Sequence, residues 1–262
     1  MTNLMPAIWV ELLKARRSKM PLLTALGFSL APFAGGFFMI VMKDPDLARR
    51  LGMISAKAQI IAGSADWQTY LGFLAQATAI GGFILFALIS SWVFGREYAD
   101  HTLKDLLALP TSRSTIVLAK FVVVMLWSAV LTIIIYLIGL GVGAAVALPP
   151  ASAEIFWQGT ITIAITICLT IALVTPIAFS ASAGHGYLPP MSVAILAVIL
   201  AQVVAAAGWG EYFPWSVPAL RAGAAGPQYA NLGMISYMMV ILTSLAGMIG
   251  TFVWWELVDQ TH

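Results

Sequence analysis

Charged residues are scarce in this sequence. Asp, Glu, Lys and Arg make up 9% of its 262 residues, whereas hydrophobic residues make up 61%. A soluble domain cannot bury that much apolar surface, so a water-soluble fold is excluded. Lipid offers the backbone no hydrogen-bond partners, and the uninterrupted apolar runs lack the alternation of barrel strands. The sequence therefore predicts an all-α, polytopic membrane protein.

Several further absences narrow the function. The phosphate-binding sequence Gly-x-x-x-x-Gly-Lys-Ser/Thr does not occur, so we expect no ATPase site, no cofactor and no catalytic residue in this chain. No ionisable residue lies in the middle of an apolar run, which disfavours an ion-coupled secondary transporter, and a channel would need a charged ring. A subunit driven by another chain fits these absences, and a non-transporting scaffold or sensor subunit is the alternative.

Two residue types offer little chemistry. Cys168 is the single cysteine, which excludes an internal disulfide, and its place in an apolar run predicts a small core residue. No metal site is predicted, because His101 and Asp105 have no further ligand pair nearby. Ser182 and His185 are interpreted as polar residues at a helix end rather than as a protease site.

Six apolar segments can cross the roughly 30 Å hydrocarbon core as helices. They are predicted at Met20–Met42, within Trp67–Gly95, from about Ile116 to Val146, Phe156–Ser182, Leu188–Ala207 and about Gly233–Trp255. The turn before Leu188 is indicated by glycines and a Pro-Pro pair, and the final Trp-Trp pair is expected at a headgroup boundary. Residues 1–262 are expected to form one transmembrane domain, with Gly139/Gly143 and Ala246/Gly250 suited to close helix packing.

Six spans place both termini on one face. That face, with the loop between the second and third spans, carries eight basic residues against five on the other. The eight are Lys14, Arg16, Arg17, Lys19, Arg96, Lys104, Arg113 and Lys120. The positive-inside rule then predicts cytoplasmic termini in a multi-pass protein of the cell membrane.

Residues 1–19 are expected to lie along the inner membrane surface. The helical pattern over Pro6–Lys19 groups apolar and polar residues on different sides. The apolar side holds Ile8, Trp9, Leu12 and Leu13, and the polar side holds Glu11, Lys14 and Ser18. A plain basic anchor that sets only the topology is the alternative.

The loop over residues 94–115 is the concentration of mixed charge between two long apolar runs. Thr102 and Asp105 have capping-box spacing, which predicts a short helix that ends before Pro110. Leu103, Leu106 and Leu107 share one face of it. So short a helix needs the bilayer or another protein to cover that face, and a membrane-resting linker is the alternative.

This loop resembles the first cytoplasmic loop of ABC-2 type transporter permeases, especially the small six-span bacterial type found in bacitracin- and lantibiotic-resistance exporters. The likeness rests on Phe94-Gly95-Arg96-Glu97-Tyr98, Thr102-Leu103-Lys104, Leu106-Leu107-Ala108-Leu109-Pro110, Arg113 and Lys120, and extends to Glu11-Leu12-Leu13-Lys14 and Phe213-Pro214-Trp215. His101 departs from the pattern, because the family often has glycine before the threonine.

The resemblance implies an exporter of an amphipathic substrate such as a peptide antibiotic, drug or lipid. Two ABC ATPase subunits, which bind ATP and magnesium, would drive this chain and a second permease subunit in the membrane lipid, and no nucleic acid is involved. The loop would be a coupling helix on the ATPase, Glu97 would carry a polar contact to it, and Pro6–Lys19 would be a connecting helix. The implied ATPase-coupling residues are Arg96, Glu97, Tyr98, Thr102, Leu103, Lys104, Asp105, Leu106 and Leu107.

The segment over residues 208–233 mixes aromatic rings with glycine and proline. This composition predicts short helices that dip into the interface, with an aromatic belt loop as the alternative. The resemblance implies an extracellular re-entrant segment before the last span. Gln76 and Gln202 are the polar span residues that would line a substrate path, although hydrogen bonding between helices explains them equally well.

Overall fold

The computed structural model describes residues 4–44, 46, 64–108, 110–226 and 232–257, with Leu107 described in its backbone alone. Every element in these ranges is helical. The α-helices are α1 Leu4–Arg17, α2 Met20–Lys43, α3 Trp67–Ala77, α4 Phe83–Ala99, α5 Leu103–Leu107, α6 Arg113–Ala145, α7 Ala153–Ala172, α8 Thr175–Ala183, α9 Leu188–Ala206, α10 Val217–Arg221 and α11 Met234–Leu257. A π-helical turn, Thr78–Gly82, joins α3 to α4, and the 3-10 turns Gly210–Tyr212 and Pro214–Ser216 precede α10.

Six helical stretches in the described residues are long and apolar enough to cross a membrane, which confirms the predicted number. They are α2, α3 with α4, α6, α7 with α8, α9 and α11. The second stretch continues past Gly95 to Ala99, so Glu97 belongs to its last turn. The fourth breaks between Ala172 and Thr175, where Pro176 supplies no backbone N–H and begins a new helix.

Both described ends of the chain lie on one face of the bundle. The Arg113 guanidinium, at the start of α6, donates to the Trp255 carbonyl oxygen near the end of α11 at 3.1 Å. On the opposite face, the Lys43 ammonium donates to the carbonyl oxygens of Val146 and Ala147 at 2.8 and 2.6 Å. These two ends of the bundle are called the α1 face and the opposite face below.

Small residues allow two spans to approach closely. A Cβ atom on Gly139 would lie 2.5 Å from the Leu74 side chain, and one on Gly143 would lie 2.5 Å from the Trp67 ring. This confirms the predicted role of the Gly139/Gly143 pair in packing α6 against α3. On the α1 face, Gly95 leaves room for the Gly186 carbonyl oxygen in the turn between α8 and α9.

One prediction about an individual residue is wrong. Cys168 is exposed on the outside of α7, because an apolar helix facing lipid gives no sequence signal for its buried side. Trp255 is fully buried near the end of α11, and its expected place at a headgroup boundary stays a prediction. Its indole N–H donates to the Ser182 hydroxyl at 3.0 Å, and the same bond explains Ser182 as a hydrogen-bonded helix residue.

Short helices occur in the segment before the last span, as predicted. The Ser216 hydroxyl donates to the Ala201 carbonyl oxygen at 3.0 Å, and Val217 and Leu220 are buried. The segment is therefore packed onto α9. Residues 227–231 of the predicted range lie outside the described residues.

We expect Gly247→Ala to lower stability by about 1–3 kcal/mol, because overpacking at a backbone contact cannot relax by a side-chain rotation. The added Cβ would overlap the Pro176 nitrogen and would lie 2.6 Å from the Thr175 carbonyl carbon. Thermal unfolding in detergent measures the change. Gly141→Ala is the matched control, since its Cβ meets nothing within 4 Å. Equal melting temperatures for the two variants would contradict this packing.

Candidate functional site

Four charged side chains from three helices close into a ring near the α1 face. The Lys14 ammonium lies 2.6 Å from Glu11 Oε1 and 2.9 Å from Glu97 Oε1. The Lys120 ammonium lies 2.8 Å from Glu97 Oε2 and 3.3 Å from Glu11 Oε2. Each carboxylate therefore contacts both ammonium groups, and the formal charges cancel. These four residues are called the ion ring.

The sequence places each member of the ion ring at a helix position that faces the centre. Glu11 and Lys14 are three residues apart on α1 and so share a side of that helix. Glu97 lies in the last turn of α4, and Lys120 lies in the second turn of α6. The loop that contains α5 connects these two turns, so the ion ring joins α1 to both ends of the loop.

Lys120 has a partner for each of its three N–H donors. Besides the two carboxylates, its ammonium donates to the Val93 carbonyl oxygen at 2.7 Å. The side chain is 0% exposed and that of Glu97 is 3% exposed. Buried charges of this kind are tolerated when they are paired and fully hydrogen-bonded, and removing one partner strands the others.

Lys14 is the least buried member of the ion ring. Burial disfavours its ammonium form, but the Glu97 and Glu11 carboxylates outweigh that effect and hold the pKa of Lys14 above its ordinary value of 10.5. A raised folded-state pKa contributes stability that is fully present below the unfolded value and is lost as the pH rises through the folded value. The Lys14 contribution is therefore intact at neutral pH.

The residues that the resemblance implies for ATPase coupling divide into a group that points into the bundle and a group that points outward. Glu97 points inward and its carboxylate contacts Lys14 and Lys120, whereas its expected contact with an ATPase stays a prediction. Leu103 is also buried in the core of the bundle. We expected the leucine face of α5 to need lipid or another protein. This expectation is wrong at Leu103, because the bundle itself covers that side chain. The side chain of Leu107 lies outside the described residues.

Arg96 and Tyr98 are held at the edge of the bundle. The Arg96 guanidinium lies over the Trp92 ring, 5.0 Å from its centroid, and pairs with Asp100 at 3.1 Å. The Tyr98 ring packs edge-on against His185, with centroids 4.9 Å apart. Both side chains thus pack at the end of α4, directly before the loop.

Thr102, Lys104 and Asp105 are exposed and form the outward group, called the loop surface below. The Thr102 side chain makes no cap bond to α5, so the predicted capping box is wrong although the helix exists. His101 has φ 55°, in the left-handed region that favours glycine. A glycine, which the resemblance leads us to expect before Thr102, would adopt this turn without strain.

A groove of about 310 Å³ opens between α1 and the loop. Pro6 and Val10 line it on α1, and Leu106 and Pro110 line it on the loop. Leu106 is half-buried. The groove lies beside the loop surface and offers an apolar recess next to exposed charges.

The structure does not bring Gln76 and Gln202 into the loop site. Gln76 is half-buried in α3, and Gln202 is exposed on α9. Gln202 lines a cavity of about 70 Å³ with Ile80 of the π turn and Trp215 of the short-helix segment. Both remain predictions as substrate-path residues.

Sequence reasoning missed the ion ring. It read Glu11 and Lys14 as the polar side of a surface helix, and Lys120 as a residue at a span end. The sequence did contain a signal for buried ion pairs. Two acidic and two basic residues lie in or beside apolar runs, in a chain of which only 9% is charged. Their pairing needs helices far apart in sequence to meet.

Comparisons with known proteins identify the family of this chain. The family profile described as "ABC-2 family transporter protein" matches residues 7–201, which include all four ion-ring residues. The chain is 30% identical over 179 residues to the bacitracin transport permease protein BCRB of Bacillus licheniformis. That alignment covers 68% of this chain and 85% of the Bacillus protein. No solved structure matches the chain.

We expect Lys120→Met to destabilise the protein by about 3–5 kcal/mol, because it leaves two buried carboxylates with too few partners. Thermal unfolding in detergent measures the loss. Lys104→Met removes the same charge from an exposed site and should be near neutral. Adding Glu97→Gln to Lys120→Met should recover part of the loss, and a strictly additive double variant would argue against a coupled ion ring.

Proposed function

This chain belongs to the ABC-2 family of transporter permeases, and from that premise we propose that it is the membrane subunit of an exporter that uses the loop surface and the ion ring to receive work from a separate ATPase. A partner ATPase is implied by the family. The 262 residues contain no phosphate-binding loop sequence, so the nucleotide must be held by that partner.

The ion ring is the observation that carries this proposal. It ties α1 to the end of the second span and the start of the third span, and these are the two spans that the loop connects. Force on the loop or on α1 is thereby passed to both spans together. Glu97 acts inside this joint, as a positioning residue.

Docking of the ATPase is proposed at the loop surface and the adjoining groove. Lys104 and Asp105 offer exposed charges of both signs, and the groove offers apolar lining from Val10 and Leu106. A charged rim beside an apolar recess is the usual composition of a protein interface. The α1 face would then be cytoplasmic, in agreement with its excess of basic residues.

The substrate is proposed to pass between two permease subunits. The cavity beside Gln202, at about 70 Å³, is far smaller than the roughly 300–1,000 Å³ of pockets that bind small molecules. An amphipathic peptide or lipid cannot fit there. A pathway formed between this chain and a second copy, or a second permease chain, can be large enough for such a substrate. Each permease subunit would then contact its own ATPase. The Bacillus relative, named for bacitracin transport, supports a peptide antibiotic as the substrate class.

The segment over residues 210–222 is proposed to close this pathway on the opposite face. Its short helices pack on α9 and line the cavity that Gln202 also lines. ATP binding would draw the two ATPases together, tilt the second and third spans through the ion ring and expose the pathway on the opposite face.

We expect Asp105→Arg to reduce the amount of ATPase subunit that copurifies with this chain in mild detergent, and to reduce substrate-stimulated ATP hydrolysis. Asp105 is exposed, so thermal stability should be unchanged. Glu154→Arg makes the same charge reversal at an exposed site on the opposite face and is the control.

Quantitative mass spectrometry of the purified complex measures the ATPase ratio. Equal copurification for Asp105→Arg and wild type would place the ATPase contact elsewhere. Purification of the wild-type chain from its native membrane without any ATPase would instead favour the scaffold or sensor alternative.

A further inference from the structure

A third pocket lies on the opposite face, far along the bundle from the ion ring. It has a volume of about 340 Å³, within the usual range for a small-molecule site. Three elements form it, namely the start of α3, the first turns of α7 and the end of α10. Gln68, Gly72, Gln158 and Arg221 are among its lining residues.

Arg221 is the unusual feature of this pocket. Its side chain is half-buried, yet among the described residues no ion pair or hydrogen bond engages its guanidinium. Every other basic side chain described is exposed, ion-paired or hydrogen-bonded to a backbone carbonyl oxygen. Desolvating a charge without a partner is unfavourable, so a half-buried arginine that lines a cavity favours an anion in that cavity.

The other polar side chains of the pocket determine which hydrogen-bond donors are available to such an anion. The Gln68 amide faces the same pocket and can donate. The Gln158 amide already donates to Glu154 Oε1 at 2.6 Å, and the Thr162 hydroxyl donates to the Gln158 carbonyl oxygen at 2.9 Å. The available donors are therefore centred on Arg221 and Gln68.

The surroundings place the pocket at the level of lipid headgroups. Trp157, next to Gln158 on α7, is 64% exposed, and Trp209 is 66% exposed in the segment that leads to α10. Exposed tryptophans of membrane proteins concentrate at the boundary between lipid and water. Phosphate is the abundant anion at that depth, and the guanidinium fork matches its oxygens.

We propose that Arg221 and Gln68 form a binding site for a phosphate group on the opposite face of the protein. The phosphate belongs either to a lipid headgroup or to a free phosphate ion. This site does not depend on the loop surface or on the ATPase.

The test uses the full chain with any ATPase that copurifies, in detergent, and two probes. Native mass spectrometry follows the binding of phosphatidylglycerol, and thermal unfolding follows the binding of inorganic phosphate. Arg221→Gln should weaken binding by at least about tenfold, the effect of losing a charge-assisted hydrogen bond.

Gly72→Leu fills the pocket without changing the charge, since a Cβ there meets nothing within 4 Å. It should also abolish binding. Lys43→Gln controls for loss of a positive charge near the opposite face, and Gly141→Leu controls for a leucine at an open glycine of α6. Both controls should bind as wild type does.

Binding of the lipid alone would identify a headgroup site, and binding of both probes would show that phosphate suffices. The proposal is overturned if wild type binds neither probe, or if Arg221→Gln and Gly72→Leu bind as wild type does. ATPase copurification, recorded on the same samples, separates this result from any failure of the proposed coupling role.

Discussion

The charge of Lys120 is balanced because Glu97 and Glu11 reach it from two other helices. In an apolar bundle an unpaired ammonium would be too costly to keep, so the start of the third span, the end of the second span and α1 must stay together. Lys14 closes the arrangement from the more exposed side. The position of the loop, and with it any partner contact, follows from this neutral ion ring.

The two halves of the bundle differ in regularity. Near the α1 face, buried charges and the Arg113 contact to Trp255 tie the helix ends to one another. Further along, the second span contains the π turn Thr78–Gly82 and the fourth span breaks before Pro176. Such irregularities are common at functional positions, because they allow a helix to bend without losing its packing. A rigid α1 face and a more flexible opposite half suit a protein whose conformational change is driven from the α1 face.

The chemistry of the two faces also differs. The α1 face presents exposed charges of both signs around an apolar groove, which suits another protein. The opposite face presents short packed helices, exposed tryptophans and a half-buried arginine, which suits the headgroup layer. In the proposed mechanism, the ATPase acts on the α1 face and the phosphate site lies on the opposite face, with the apolar bundle between them.

The sequence by itself determined the class of protein, the number and approximate limits of the six spans and the family of the loop, since each of these depends on runs of residues adjacent in the chain. It also located α5, although for the wrong reason, because the Thr102 side chain does not cap it. The tertiary structure alone decided which way each helix faces. In an almost uniformly apolar chain hydrophobicity does not distinguish core from lipid, so Cys168 was assigned to the core although it is exposed. The ion ring likewise required Glu11, Glu97 and Lys120 to meet across more than a hundred residues of sequence, a pairing set by helix packing in three dimensions.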